Sequence, residues 1–128
     1  MQLVAPNDPI LRRVCRPDFT VTLDQINQMF FLMREKNALA LAAPQVGIDA
    51  RLFVTHWGEV FVNPFLITYG GRTVFNEGCL SLPGVTIKKM RWETIVLGDG
   101  RAFGNDRARV IQHEINHLNG ILLTDKEW

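Results

Sequence analysis

The chain has 128 residues, of which 47% are hydrophobic and 21% charged, and its formal net charge is +1. That length predicts one domain, residues 1–128, able to bury a sizeable core without disulfides. The charge balance offers no nucleic-acid footprint or membrane-binding surface, and mean hydropathy is near zero with no apolar run long enough to span a bilayer.

The first residues, Met1 to Asp8, lack a basic segment followed by an apolar run, so no secretory signal is expected and the protein is read as cytoplasmic. Cys15 and Cys79 lie far apart in sequence, and in that compartment a cysteine is more often a core filler, a ligand or a nucleophile than half of a disulfide. Pro6, Pro9 and Pro17 predict an extended or turn-rich arm, with Leu11, Val14 and Phe19 as anchors and Cys15 as a structural or surface residue. Thr22-Leu23-Asp24-Gln25 has the form of a helix-capping box, and Ile26, Met29, Phe30 and Met33 continue at helical spacing to about Lys36. The small residues from Asn37 to Gly47, interrupted by Pro44, allow close approach to the backbone by a neighbouring strand or by a substrate.

From Arg51 to Met90 the texture is β. Arg51–Thr55 and Glu59–Val62 flank a turn at His56-Trp57-Gly58, and Phe65–Tyr69 and Arg72–Phe75 flank Gly70-Gly71, which together predict two hairpins. His56 is read as a surface histidine, Lys88-Lys89 as a solvated edge, and Val85–Met90 and Glu93–Leu97 as two further strands. A final helix is predicted to start near Asn105 or Asp106, either of which can cap it, and to stop at Asn119-Gly120. Its buried stripe is Ala108, Ile111, Ile115 and Leu118, with Val110, His113, Glu114 and His117 on an adjoining face.

That helix carries Gln112-His113-Glu114-Ile115-Asn116-His117. Residues four apart lie one above the other on a helix, so His113 and His117 can aim two imidazole nitrogens at one divalent cation, while Glu114 projects beside it as a proton acceptor. A catalytic site of the zinc type holds three protein ligands and one open position. Cys79, between Gly78 and a turn, with Glu77 and Ser81 nearby, is the candidate third ligand.

The three segments Leu41-Ala42-Ala43-Pro44-Gln45-Val46-Gly47, Glu77-Gly78-Cys79-Leu80-Ser81 and Gln112–His117 appear in the order of the peptide deformylase motifs. The chain resembles that family over almost its whole length, including Asp8-Pro9-Ile10-Leu11-Arg12 and Val62-Asn63-Pro64. The resemblance implies an α+β fold, with small antiparallel β-sheets packed around the C-terminal metal-binding helix and one further N-terminal helix. It implies removal of the formyl group from formyl-methionyl N-termini of nascent polypeptides, with release of formate. Cys79, His113 and His117 would ligate one divalent metal ion, natively Fe(II), with zinc or nickel as replacements. Glu114 would be the general base and then the acid for the departing amine, and the Gln45 side chain and the Leu80 N–H would donate to the formyl oxygen. Leu39, Ala40, Phe75, Glu77 and Val110 match substrate-binding positions. Glu77 and Arg91 match an ion pair that buttresses the cysteine loop, and Gln112 and Asn116 match supporting positions. The implied partners are formyl-methionyl peptides and nascent chains, acted on by a monomer with no direct nucleic-acid or membrane contact.

This chain departs from the family pattern in three ways. Ala38 and Ala40 stand where two glycines are usual, which narrows the cleft but leaves backbone hydrogen bonds intact if φ is negative there. Asn116 replaces the common aspartate, keeping hydrogen bonding and losing a charge that tunes the metal. Only eight residues follow Gly120, so the long C-terminal helix of many bacterial members is expected to be absent; this puts the ribosome docking attributed to it in doubt and suggests a reduced form of the kind found in phages. Two other classes compete. A zinc metallopeptidase would usually need a downstream third ligand, for which few residues remain, and a purely structural metal staple would need four protein ligands where three candidates stand.

Overall fold

The computed structural model describes residues 1–125. The first helix, α1, spans Leu23–Glu35 and begins where the sequence predicts. Thr22 Oγ1 accepts from the Gln25 N–H and Gln25 Oε1 accepts from the Thr22 N–H, at 3.1 and 2.9 Å, so two of the donors left over at a helix start are satisfied reciprocally. Met29, Leu32 and Met33 form the buried stripe.

That stripe packs on a three-stranded antiparallel sheet in the order β1-β2-β3, made of Ala40–Ala42, Leu52–Thr55 and Val60–Val62. Of the two possibilities for the small-residue stretch, close approach by a strand is realised, because the stretch is itself β1 and pairs with β2. Successive strand side chains point to opposite faces. Leu41, Leu52 and Val54 therefore meet α1, while Ala42, Phe53 and Phe61 join Ile95, Leu97 and the second helix in a separate core. A sheet covered on both faces accounts for the near-continuous apolar run in β2.

The second sheet departs from expectation. Gly70-Gly71 does not turn the chain: β4 runs unbroken over Leu66–Cys79 and β5 over Leu82–Leu97, with Gly70 opposite Thr94 and Arg72 opposite Trp92. Gly71 sits within the strand at φ 67°, and a Cβ there would lie 2.8 Å from a Glu93 carboxylate oxygen, so its glycine serves a backbone kink and not a reversal. The two strands predicted at Val85–Met90 and Glu93–Leu97 are likewise one. The reversal falls at Leu80-Ser81, where Cys79 pairs with Leu82 and the register shifts, so the hairpin tip carries the cysteine. A short β6, Ala102–Gly104, completes this antiparallel sheet in the order β4-β5-β6.

The second helix, α2, spans Asn105–Leu118 and packs against both sheets. Its N-cap position is Gly104, and neither Asn105, which stands in the left-handed region at φ 52°, nor Asp106 caps it through a side chain. The far end stops at Asn119-Gly120 as predicted, secured by Arg51, whose guanidinium donates to the Leu118 carbonyl and to Asn119 Oδ1, both at 2.9 Å. In the N-terminal arm Leu11 and Cys15 are buried, but Val14 is 70% exposed and anchors nothing, and Pro9–Arg12 forms a single 3-10 turn. Lys89 is also not a solvated edge residue: it is buried, and its ammonium donates to the backbone carbonyls of Leu123 and Asp125 at 3.3 and 2.7 Å. No helix among the described residues is long and apolar enough to cross a membrane.

Candidate metal centre

The tip of the β4–β5 hairpin and the middle of α2 bring Cys79, His113 and His117 together, with one potential ligand atom from each lying within 4.8 Å of the others. Cys79 Sγ is 3.2 Å from His117 Nε2, and the two imidazole rings, one helical turn apart, have centroids 5.1 Å apart. Thiolate sulfur and imidazole nitrogen suit a borderline-soft divalent cation. His117 is buried and its Nδ1 has no hydrogen-bond partner among the described residues. Burial keeps its pKa well below the ordinary histidine value and thus holds it neutral, the form that ligates. The donor set therefore fits one divalent ion, and three protein donors leave a position open.

Beneath this cluster lies a buried charged platform. Arg91, on β5, donates from Nε and Nη2 to the two oxygens of Glu77 at 2.8 Å each, and His113 Nδ1 donates to Glu77 Oε1 at 2.9 Å. Burial alone raises the Glu77 pKa, but the hydrogen bonds and charges of Arg91 and His113 outweigh it and hold the carboxyl at about 2. The ionised Glu77 thereby holds Nδ1 of His113 as its donor and leaves Nε2 for the cluster. Gln112 secures the helix from another side: its Oε1 accepts from the Trp92 N–H, and its Nε2 donates to the Trp92 and Ala108 carbonyls. Asn116 is half-buried, and its carbonyl accepts from the N–H groups of Asn119 and Ile121 at the helix end.

Glu114 is buried beside His113, with Oε2 3.9 Å from His113 Nε2 and Oε1 without a partner among the described residues. Burial lifts its pKa to about 7 against the opposing pull of His113 and Arg91. Across from it, Gln45 lies within a 3-10 turn over Ala43–Val46. Its Oε1 accepts from the Ala42 N–H at 2.9 Å, and its Nε2 donates to Ser81 Oγ at 3.1 Å and lies 3.7 Å from Cys79 Sγ.

These groups open onto a cleft of about 730 Å³. Of the residues marked out from sequence, Leu39, Ala40, Gln45, Cys79, Leu80, Val110, His113 and Glu114 line it. Phe75 and Glu77 do not: Glu77 lies buried under His113, and Phe75 sits beneath the guanidinium of Arg109, 5.4 Å from its ring centroid. Ala38 and Ala40 do not have positive φ, so the backbone geometry here is one that alanine accepts as readily as glycine. Lys36, Asn76 and Arg109 also line the cleft. No local pattern marks them out, since their place follows from how α1, β4 and α2 converge; the spacing of Arg109, one turn before His113, was the only available signal.

The family model described as polypeptide deformylase matches residues 1–127. The peptide deformylase of Halothermothrix orenii is 36% identical over 142 aligned positions, covering 98% of this chain and 92% of the relative. That of Clostridium botulinum is 40% identical, with 93% and 90% covered. Among solved structures, peptide deformylase from Thermotoga maritima superposes with a TM-score of 0.88 at 30% identity, covering 99% of this chain and 97% of that one. Family match, relatives, fold and a Cys/His/His group opening on a cleft agree: the chain belongs to the peptide deformylase family, metallohydrolases that remove the formyl group from N-terminal formylmethionine.

Proposed function

We propose that Cys79, His113 and His117 ligate the metal and that Glu114 carries the proton in deformylation. The observation that carries this reading is a buried carboxyl with one oxygen unpaired among the described residues, lining the cleft beside three clustered donor atoms. A divalent ion held by Cys79, His113 and His117 would supply Lewis acidity and would make the attacking water easier to deprotonate. With its own pKa near 7, Glu114 takes a proton from the attacking water and later gives it to the departing amine.

Attack on the formyl carbon drives negative charge onto the formyl oxygen. Gln45, held by Ala42 and Ser81 so that it need not reorganise, donates to that oxygen together with the Leu80 N–H. Losing one such donor typically costs on the order of 3 kcal/mol of barrier. Leu39, Ala40 and Val110 give the cleft its apolar lining for the methionine side chain, and Phe75 backs that wall through Arg109. Glu77, Arg91 and Gln112 position the ligands without touching substrate, and Asn116 supports the helix end next to His117.

The native ion in this reading is Fe(II). In the usual affinity order it binds more weakly than nickel or zinc, so either displaces it during purification. In this reading the protein is a monomeric single-domain enzyme, residues 1–128, working in the cytoplasm on nascent formylated chains. The test is metal content and formate release from a formyl-methionyl peptide for the iron-loaded protein and for Glu114→Ala. The variant is expected to keep its metal and lose about 10²- to 10⁴-fold in turnover. Equal loss of metal and activity would remove Glu114 from the role of base.

A further inference from the structure

The charges along the cleft are unevenly distributed. Its lining includes two cations, Lys36 and Arg109, and one carboxylate, Glu114, which is buried at the ligand cluster. The other polar side chains distant from the cluster, Asn37, Asn76 and Thr86, are neutral. Lys36 is exposed just past the end of α1, and no ion pair involves it among the described residues. Its neighbour Glu35 lines a different groove, with Met1, Asn27 and Phe31.

Arg109 is held in place. Its guanidinium lies over the Phe75 ring and its side chain is only 17% exposed. Its acidic neighbour, Asp106, is 3.6 Å away, and the Asp106 side chain is 74% exposed. The Asp106 carboxylate is thus mostly solvated and its distance to Arg109 is long, so a substrate carboxylate can compete for the guanidinium.

The direction of the cleft ties these cations to the substrate. Gln45 stands beside Cys79, and from there the chain leads back through β1 past Ala40, Leu39 and Ala38 to Asn37 and Lys36. Among the described residues β1 pairs as a strand only with β2; on its other edge the Ala42 N–H is taken by Gln45 Oε1, and an added strand can lie along the rest. A peptide whose formyl end lies at Gln45 and Glu114 runs antiparallel to β1. Lys36 and Arg109 line the cleft away from the ligand cluster, so the residues that follow methionine in an extended peptide run along them.

We propose that Lys36 and Arg109 form a cationic rim that sets substrate preference. Formyl-methionyl chains with aspartate or glutamate directly after methionine are processed faster than chains with lysine or arginine there. This rests on the deformylation reading above and adds a selectivity to it. The rim acts in the encounter and in the bound complex, so the preference is carried by KM and weakens with salt.

The test compares kcat/KM for formyl-Met-Glu-Glu-Ser, formyl-Met-Gln-Gln-Ser and formyl-Met-Lys-Lys-Ser on the metal-loaded enzyme, at low salt and at about 0.5 M salt. The acidic peptide is expected to exceed the basic one by about tenfold at low salt, mainly through KM, and the ratio should shrink at high salt. Arg109→Gln and Lys36→Gln should each lower that ratio by about two- to fivefold, Arg109→Lys should preserve most of it, and Arg109→Glu should invert it. Equal rates for all three peptides, or a ratio unmoved in the variants, would overturn the rim. Failure to cleave even the glutamine peptide would instead count against the deformylation reading.

Discussion

The two helices are nearly equal in length and differ in what holds them. α1 is closed by its own residues, through the Thr22–Gln25 capping box, and buries a purely apolar stripe of Met29, Leu32 and Met33. α2 has no side-chain N-cap, and among its buried residues are Gln112, Glu114 and His117. Its supports come from elsewhere in the chain: Glu77 under His113, the Trp92 backbone clamped by Gln112, and Arg51 on the last carbonyl. A helix that only has to pack can be specified locally, whereas one that presents two imidazoles of a Cys/His/His group and a buried carboxyl needs partners that orient them.

The contrast is broken most strongly by Glu77→Ala. Removing that carboxylate leaves the buried Arg91 guanidinium unpaired, which typically costs about 3–5 kcal/mol, and frees His113 to reorient. A fall in Tm on the order of 10 °C is expected by calorimetry, with metal affinity reduced about 10- to 100-fold in titration. In the parent protein the Glu77 pKa is lowered from 4.5 to about 2. Its contribution to stability is therefore fully present above 4.5 and lost as pH falls toward 2, and the variant should lack this part of the acid dependence. Unchanged metal affinity in the variant would mean that the platform does not orient α2.

Next in size, Met29→Ala opens a cavity under α1 and should cost about 2–5 kcal/mol in denaturant unfolding. Metal content and the KM for a formyl-methionyl peptide should stay at parent values, because Met29 packs in the core that faces away from α2. A loss of metal here would show that the two helices are not separable. Smallest is Thr22→Ala, which removes one half of the capping box for about 1 kcal/mol, again with metal binding untouched.

What was legible in advance follows the same division. The α1 cap, the stop at Asn119-Gly120, the β2–β3 hairpin and the grouping of Cys79, His113 and His117 all depend on short-range spacing or on motifs, and each is present. The two largest errors have one origin, since each concerns residues whose role depends on chain remote in sequence. Gly70-Gly71 has the composition of a turn, but the pairing of β4 with β5 along their whole length overrides it and moves the reversal to Leu80-Ser81. A lysine pair in a strand reads as a solvated edge, but the partners of Lys89 are carbonyls some 34 and 36 residues further on. Asn105 has a capping side chain, yet stands in the left-handed region at the helix start and makes no cap hydrogen bond.

The sequence by itself therefore determined the donor set, the helix that carries two of its members and the family to which the chain belongs, because helical periodicity and ligand chemistry are local properties. Only the tertiary structure decided that the third donor sits at a hairpin tip, that Glu77 lies under His113 and not in the cleft, and that Lys36 and Arg109 face the same opening. Those placements come from pairing and packing between segments far apart in the chain, which no window of neighbouring residues records.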